Sequence, residues 1–122
     1  MHKILVVDDD QSILDSMEII LNLQGYEVES TTKGEETFSK IESFKPDLIL
    51  MDIYLSGMDG REICKQIKEN DALKNIPVII FSAHKSMKDV FRESGANDFI
   101  GKPFNMDELY EKVKNQTSHI LY

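Results

Sequence analysis

Apolar and strand-like runs punctuate this chain, and four of them end in a polar residue. Ile4-Leu5-Val6-Val7 runs into Asp8-Asp9, Leu48-Ile49-Leu50-Met51 into Asp52, and Val78-Ile79-Ile80-Phe81 into Ser82. Asn97-Asp98-Phe99-Ile100-Gly101 ends at Lys102-Pro103. Short continuous apolar runs bounded by turn residues predict strands buried on both faces, here from Lys3 to Val7, Asp47 to Met51 and Val78 to Phe81. Tyr26 to Thr31 alternates as an edge strand does.

Helical spacing fills the intervals between the strands. Ser12 to Gln24 places Ile13, Met17, Ile20 and Leu21 on one face, with Gly25 as its stop. Gly34 to Phe44 reads as a helix with Phe38, Ile41 and, at its end, Phe44 inward, and Pro46 then breaks the chain. Asp59 caps a helix from Gly60 to Glu69 with Ile63 and Ile67 inward. A short helix is predicted from about Ser86 to Glu93, stopped at Gly95. Asn105 caps a last helix carrying Leu109 and Val113. Five strands alternating with five helices predict an α/β fold, a parallel sheet covered on both faces. Connections in such sheets are right-handed, and ligands bind beyond the carboxyl ends of the strands. Asp8, Asp9, Asp52, Ser82 and Lys102 all stand at those ends.

Length and composition narrow the picture without naming a chemistry. At 122 residues the chain predicts one domain spanning 1–122, long enough to bury most of its apolar surface. A formal net charge of -8 argues against direct nucleic-acid binding, since no basic face is expected to outweigh it. No apolar run approaches a membrane span and the N-terminus lacks a signal-peptide pattern, so no membrane contact and a cytoplasmic location are expected. Cys64 is the single cysteine and falls in a helical pattern, where a buried, unreactive thiol is expected.

Convergence of the strand exits would crowd three carboxylates. Like charges about 4 Å apart repel by roughly 4 kcal/mol at an effective dielectric of 20, so the cluster needs a cation or a raised pKa. Lys102 supplies part of the compensation, and a hard divalent ion supplies more. Mg2+ suits the set best, because it takes oxygen ligands, keeps several waters and favours one or two carboxylates beside a phosphate. Calcium usually takes more protein oxygens, and zinc wants histidine or cysteine, which this cluster lacks. For Asp10 a turn and helix-cap role is expected instead.

The chain resembles the receiver domain of two-component response regulators over essentially its whole length. The resemblance is carried by Ile4 to Asp10, Pro46 to Asp52, Gly57-Met58-Asp59-Gly60, Ile80-Phe81-Ser82-Ala83 and Gly95 to Phe104. It implies a flavodoxin-like (βα)5 three-layer sandwich, and it supplies the strand order 2-1-3-4-5, which the sequence pattern does not. It implies that Asp52 accepts a phosphoryl group from a histidine kinase or a histidine phosphotransfer protein. Asp9, Asp52 and the backbone carbonyl of Tyr54 would bind Mg2+ directly, and Asp8 mostly through water. Lys102 would pair with the carboxylate or the phosphoryl oxygens, and Ser82 would hydrogen-bond the phosphoryl group. Ser82 and Phe99 would form the switch that changes the partner preference of the fourth helix, fifth strand and fifth helix toward an unspecified downstream effector. The Lys102–Pro103 bond would be cis.

Two departures from that family pattern stand out. Ser56 replaces the proline usual before Gly57-Met58-Asp59-Gly60, and the span from Ser82 to Gly95 is about two residues short. Tyr54 and His84 flank the site at positions that often tune phosphoryl lifetime. Two rival readings remain: a pseudo-receiver that binds partners without phosphorylation, and a Mg-dependent phosphohydrolase with Asp52 as nucleophile. The second would want an acid two residues after Asp52, where the chain has Tyr54. On the favoured reading the domain is not an enzyme beyond gaining and losing its own phosphoryl group.

Overall fold

Residues 2–82 and 93–118 are described by a computed structural model of the chain. Five parallel strands form the sheet: β1 (Lys3–Val7), β2 (Glu27–Thr31), β3 (Leu48–Asp52), β4 (Val78–Ser82) and β5 (Asp98–Gly101). Their order is 2-1-3-4-5, the flavodoxin-like order that the resemblance implied. The helices are α1 (Gln11–Leu23), α2 (Thr37–Phe44), α3 (Gly60–Glu69) and a C-terminal helix (Met106–Thr117). The expected helix from about Ser86 to Glu93 falls outside the described residues except for Glu93, and His84 lies outside them too.

Alternation along the strands assigns each side chain to one of two apolar layers. Leu5, Val7, Ile49, Met51, Val78 and Ile80 face α2 and α3, against Ile41, Phe44, Ile63, Cys64 and Ile67. Ile4, Val6, Leu48, Leu50, Ile79, Phe81 and Ile100 face α1 and the C-terminal helix, against Leu14, Met17, Leu21, Leu109 and Val113. Both faces are covered, as a parallel sheet requires. Cys64 is fully buried, and burial pushes its thiol up to about 11, so it packs as a small apolar side chain.

Local chemistry sets the helix starts. Asp10 caps α1 by accepting from the Ser12 backbone N–H at 2.9 Å and from its hydroxyl at 2.6 Å, which is the cap role expected of it. Asp59 caps α3 through Arg61 N–H at 2.9 Å, and Asn105 caps the C-terminal helix through Glu108 N–H at 2.7 Å. Three sequence expectations need correction. The buried face of α1 is Leu14, Met17 and Leu21, with Ile13 and Ile20 flanking it. The stretch from Gly34 splits into a 3-10 turn, Gly34–Glu36, followed by α2. Phe38 is 37% exposed, because Thr37, Ile41 and Phe44 take the inward face of this short helix and Phe38 lies about 100° away from it. An element not foreseen is a two-residue antiparallel ladder pairing Tyr54 with Asp59 and Leu55 with Met58 around Ser56-Gly57.

Candidate functional site

Strand register carries the site residues to one rim. Val7 pairs with Met51, so the next residues, Asp8 and Asp52, leave the sheet side by side. Asp52 pairs with Phe81 and Ser82 pairs with Gly101, which puts Ser82 and Lys102 beside the same exit. Carboxylate oxygens of Asp8, Asp9 and Asp52 all lie within 4.8 Å of one another. Asp8 and Asp52 are buried and Asp9 is exposed.

Lys102 sits between the two buried carboxylates. Its Nζ donates to Asp8 Oδ2 at 2.9 Å and to Asp52 Oδ2 at 3.2 Å, and it lies 4.9 Å from the centre of the Phe81 ring. Asp8 Oδ1 also accepts from the Asp10 backbone N–H at 2.9 Å. The Lys102–Pro103 peptide is cis. Lys102 N–H donates to the Ser82 carbonyl at 2.9 Å, fixing the loop that delivers the ammonium. Ser82 is buried at the end of β4. Tyr54 is 58% exposed at the mouth of the site.

Among the described residues, charge at this rim is unbalanced, with three carboxylates facing one ammonium. Burial pushes the Asp52 carboxyl up; Lys102 and the backbone N–H groups of Ile53 and Tyr54 pull it down without cancelling the rise. Asp8 is likewise pushed up by burial, against the Asp10 N–H and Lys102. Burial opposes the charge on Lys102, but its bonds to Asp8 and then Asp52 outweigh that and raise its pKa. The three carboxylates offer only hard oxygen donors and, among the described residues, outnumber the one ammonium, which is the donor chemistry of a divalent-cation site.

A stability consequence follows from the sign of the Asp52 shift. With the folded-state pKa above the unfolded value of 3.8, the folded chain binds more protons, so this residue's contribution falls as pH rises above 3.8. At neutral pH its full cost is present. Asp52→Asn is therefore expected to melt higher than the wild type at neutral pH in metal-free buffer, with the advantage shrinking as pH falls toward 3.8. Thermal unfolding followed by circular dichroism measures this, and an Asn variant that melts lower at neutral pH would contradict it.

Two contacts are not foreseen in the sequence, one at this rim and one on β5. The Ser56 hydroxyl donates to Asp9 Oδ2 at 3.3 Å. Lys112 Nζ donates to the Phe99 carbonyl at 2.5 Å and lies 5.0 Å from the centre of the Phe99 ring, which is half-buried beside the α3 layer. Lysine on a helix facing an aromatic strand carries no distinctive signal, and Ser56 registered only as a missing proline.

The family described as the response regulator receiver domain matches residues 4–114. The chain belongs to that family. Among curated relatives, this receiver domain is 38% identical over 112 residues to the alkaline phosphatase synthesis transcriptional regulatory protein PhoP of Bacillus subtilis (strain 168), covering 92% of this chain and 47% of that protein. The receiver domain spans about half the length of the curated relatives it matches. Among solved structures, it superposes on a response regulator from Chloroflexus aurantiacus J-10-fl with a TM-score of 0.90 at 35% identity, covering 96% of this chain and 98% of that one. The signal receiver domain of a signal transduction histidine kinase from Syntrophus aciditrophicus matches with a TM-score of 0.90 at 34% identity, over 98% of this chain and 92% of that one. Receiver domains of this kind are signalling domains, and among the described residues no helix is long and apolar enough to cross a membrane.

Proposed function

We propose that this receiver domain accepts a phosphoryl group on Asp52, with Mg2+, and switches partner binding in response. The observation that carries the reading is the shared Lys102 ammonium, bonded to both Asp8 and Asp52 beside the exposed Asp9 carboxylate. A carboxylate held in place by a cation and flanked by oxygen ligands is equipped for in-line attack on phosphorus.

Asp9, Asp52 and the backbone carbonyl of Tyr54 would hold the ion, with Asp8 acting through water. Bound there, Mg2+ neutralises charge on the transferring oxygens. An Asp52 oxygen forms the new P–O bond while the bond from phosphorus to the donor breaks, its electron pair leaving with the donor. Lys102 offers its ammonium to the oxygens of the phosphoryl group. Ser82, buried at the end of β4, donates to that group once it is in place.

The switch runs from Ser82 to Phe99, whose ring and carbonyl are both held by Lys112 from the C-terminal helix. Movement of the half-buried ring changes that contact and biases the outer face of β5 and the C-terminal helix between two partner preferences. The donors are a histidine kinase or a histidine phosphotransfer protein, the output is a downstream effector, and the domain works in the cytoplasm without touching nucleic acid or membrane itself.

Incubation with acetyl phosphate, with and without Mg2+, followed by intact mass, tests the proposal. The expected result is a gain of one phosphoryl group that requires Mg2+ and is absent in Asp52→Asn. No gain in the wild type would favour a phosphorylation-independent pseudo-receiver. Sustained turnover of small phosphate esters would favour a phosphohydrolase.

A further inference from the structure

Ser56 lies at the second position of the turn Leu55-Ser56-Gly57-Met58, which closes the short antiparallel ladder. Gly57 follows with φ 76, the positive value that a type II turn demands at its third position. The second position of such a turn suits proline, whose ring fixes φ in advance. Here that position carries a serine, and its hydroxyl reaches across the rim to Asp9 Oδ2 at 3.3 Å.

Asp9 is held differently from its neighbours. Asp8 is fixed by Lys102 and by the Asp10 N–H, and Asp52 by Lys102. Among the described residues, the Ser56 hydroxyl is the hydrogen-bond donor that holds the Asp9 carboxylate. An exposed carboxylate without such a tie samples several rotamers, and ordering it on cation binding costs free energy. A donor on one oxygen orients the carboxylate and leaves the other oxygen available, as outer partners of metal ligands do.

We infer that Ser56 is a positioning residue for a divalent cation: its hydroxyl pre-orients Asp9 and so raises Mg2+ affinity in this domain. The inference rests on the reading that Asp9 and Asp52 hold Mg2+. It also gives the missing proline a consequence, because the bond from Ser56 to Asp9 ties the turn to the exit of β1 across 47 residues of sequence.

Titration of the full chain with magnesium chloride by calorimetry, without a phosphoryl donor, reads the effect directly. Wild type, Ser56→Ala, Ser56→Thr and Ser56→Pro are compared, with the melting temperature of each recorded. Outer partners of metal ligands are typically worth 10- to 100-fold in affinity, and because this pair is exposed we expect roughly three- to tenfold weaker Mg2+ binding in the Ala variant. Ser56→Pro is expected to match Ser56→Ala, since proline stiffens the turn but donates nothing. Ser56→Thr keeps the hydroxyl and is expected to bind as the wild type does. Wild-type affinity in both the Ala and Pro variants would overturn the inference. So would recovery of affinity in the Pro variant alone, which would assign the effect to turn stiffness, or a Thr variant binding no better than Ala. A wild type that fails to bind Mg2+ at all would overturn the reading of the site and this inference together, a result distinct from unchanged variants of a binding wild type.

Discussion

Gly60→Ala is expected to cost this domain at least about 3 kcal/mol of stability, beyond the usual range for one extra methyl in a packed core. A Cβ at position 60 would sit 2.0 Å from the Asp52 carbonyl oxygen, 3.0 Å from its carbonyl carbon and 3.1 Å from Ile53 Cα. All three are backbone atoms, so no side chain can swing away to make room. The Gly60 N–H also donates to the Ile53 carbonyl at 2.7 Å, locking the start of α3 onto the segment that leaves β3. Relief therefore means driving α3 away from the end of β3, and that movement displaces Asp52 itself. Urea unfolding is expected to show a lower midpoint, and the folded fraction is expected to take up phosphoryl groups poorly. A variant as stable as the wild type would show that the close approach of α3 to β3 is not needed.

Lys102→Met should be the most damaging change at the acidic rim. Methionine keeps much of the stem packed near Phe81 but leaves the buried Asp8 and Asp52 facing each other without their shared ammonium. Removing one partner of a buried ion pair commonly costs 3–5 kcal/mol, and the partial exposure of Lys102 reduces this to about 2–3 kcal/mol here. The sign of the pH dependence can be worked out. Lys102 has its folded-state pKa raised, so its contribution is complete at neutral pH and is lost only as pH climbs through that raised value. Without it, Asp8 and Asp52 are pushed up further, so the deficit of the variant is largest at neutral pH and narrows as the carboxyls protonate on the acid side. Unfolding titrations at neutral and mildly acid pH measure this. Phosphoryl uptake from acetyl phosphate is expected to slow by roughly 10²-fold, the scale for losing one charge-stabilising donor. An unchanged uptake rate would remove Lys102 from the transfer step.

The sheet was the most legible part of the fold. Ile4 to Val7, Leu48 to Met51 and Val78 to Phe81 are continuous apolar runs with polar stops, and all are strands. Their polar stops came together because parallel register carries every exit to one rim, which is a property of the topology and needs no special residues. Helix faces were harder to read. In α1, seven apolar positions wrap around the helix, so the pattern alone does not rank Leu14 above Ile13. In α2, Phe38 looked like core because it is large and apolar, yet a buried Thr37 takes the inward place.

Within the site, the clustering of Asp8, Asp9, Asp52 and Lys102 was legible from strand ends alone. The contacts between distant polar residues were not. Ser56 and Asp9 are 47 residues apart, and nothing in the ladder around Ser56 has a period long enough to predict its position. Lys112 reaches Phe99 across 13 residues through a helix face that looks merely solvated in sequence. Gly60 read as the start of a capped helix, whereas its lack of a side chain matters because the Asp52 carbonyl lies against it.

Chemical mapping of the acceptor addresses the central claim most directly. After treatment with acetyl phosphate and Mg2+, borohydride reduces an aspartyl phosphate to homoserine, which peptide mass spectrometry locates. Homoserine at position 52 alone, and only when donor and Mg2+ are both present, is the expected result. Homoserine at Asp8 or Asp9, or a borohydride-resistant phosphoryl group on Ser82 or another hydroxyl, would contradict it.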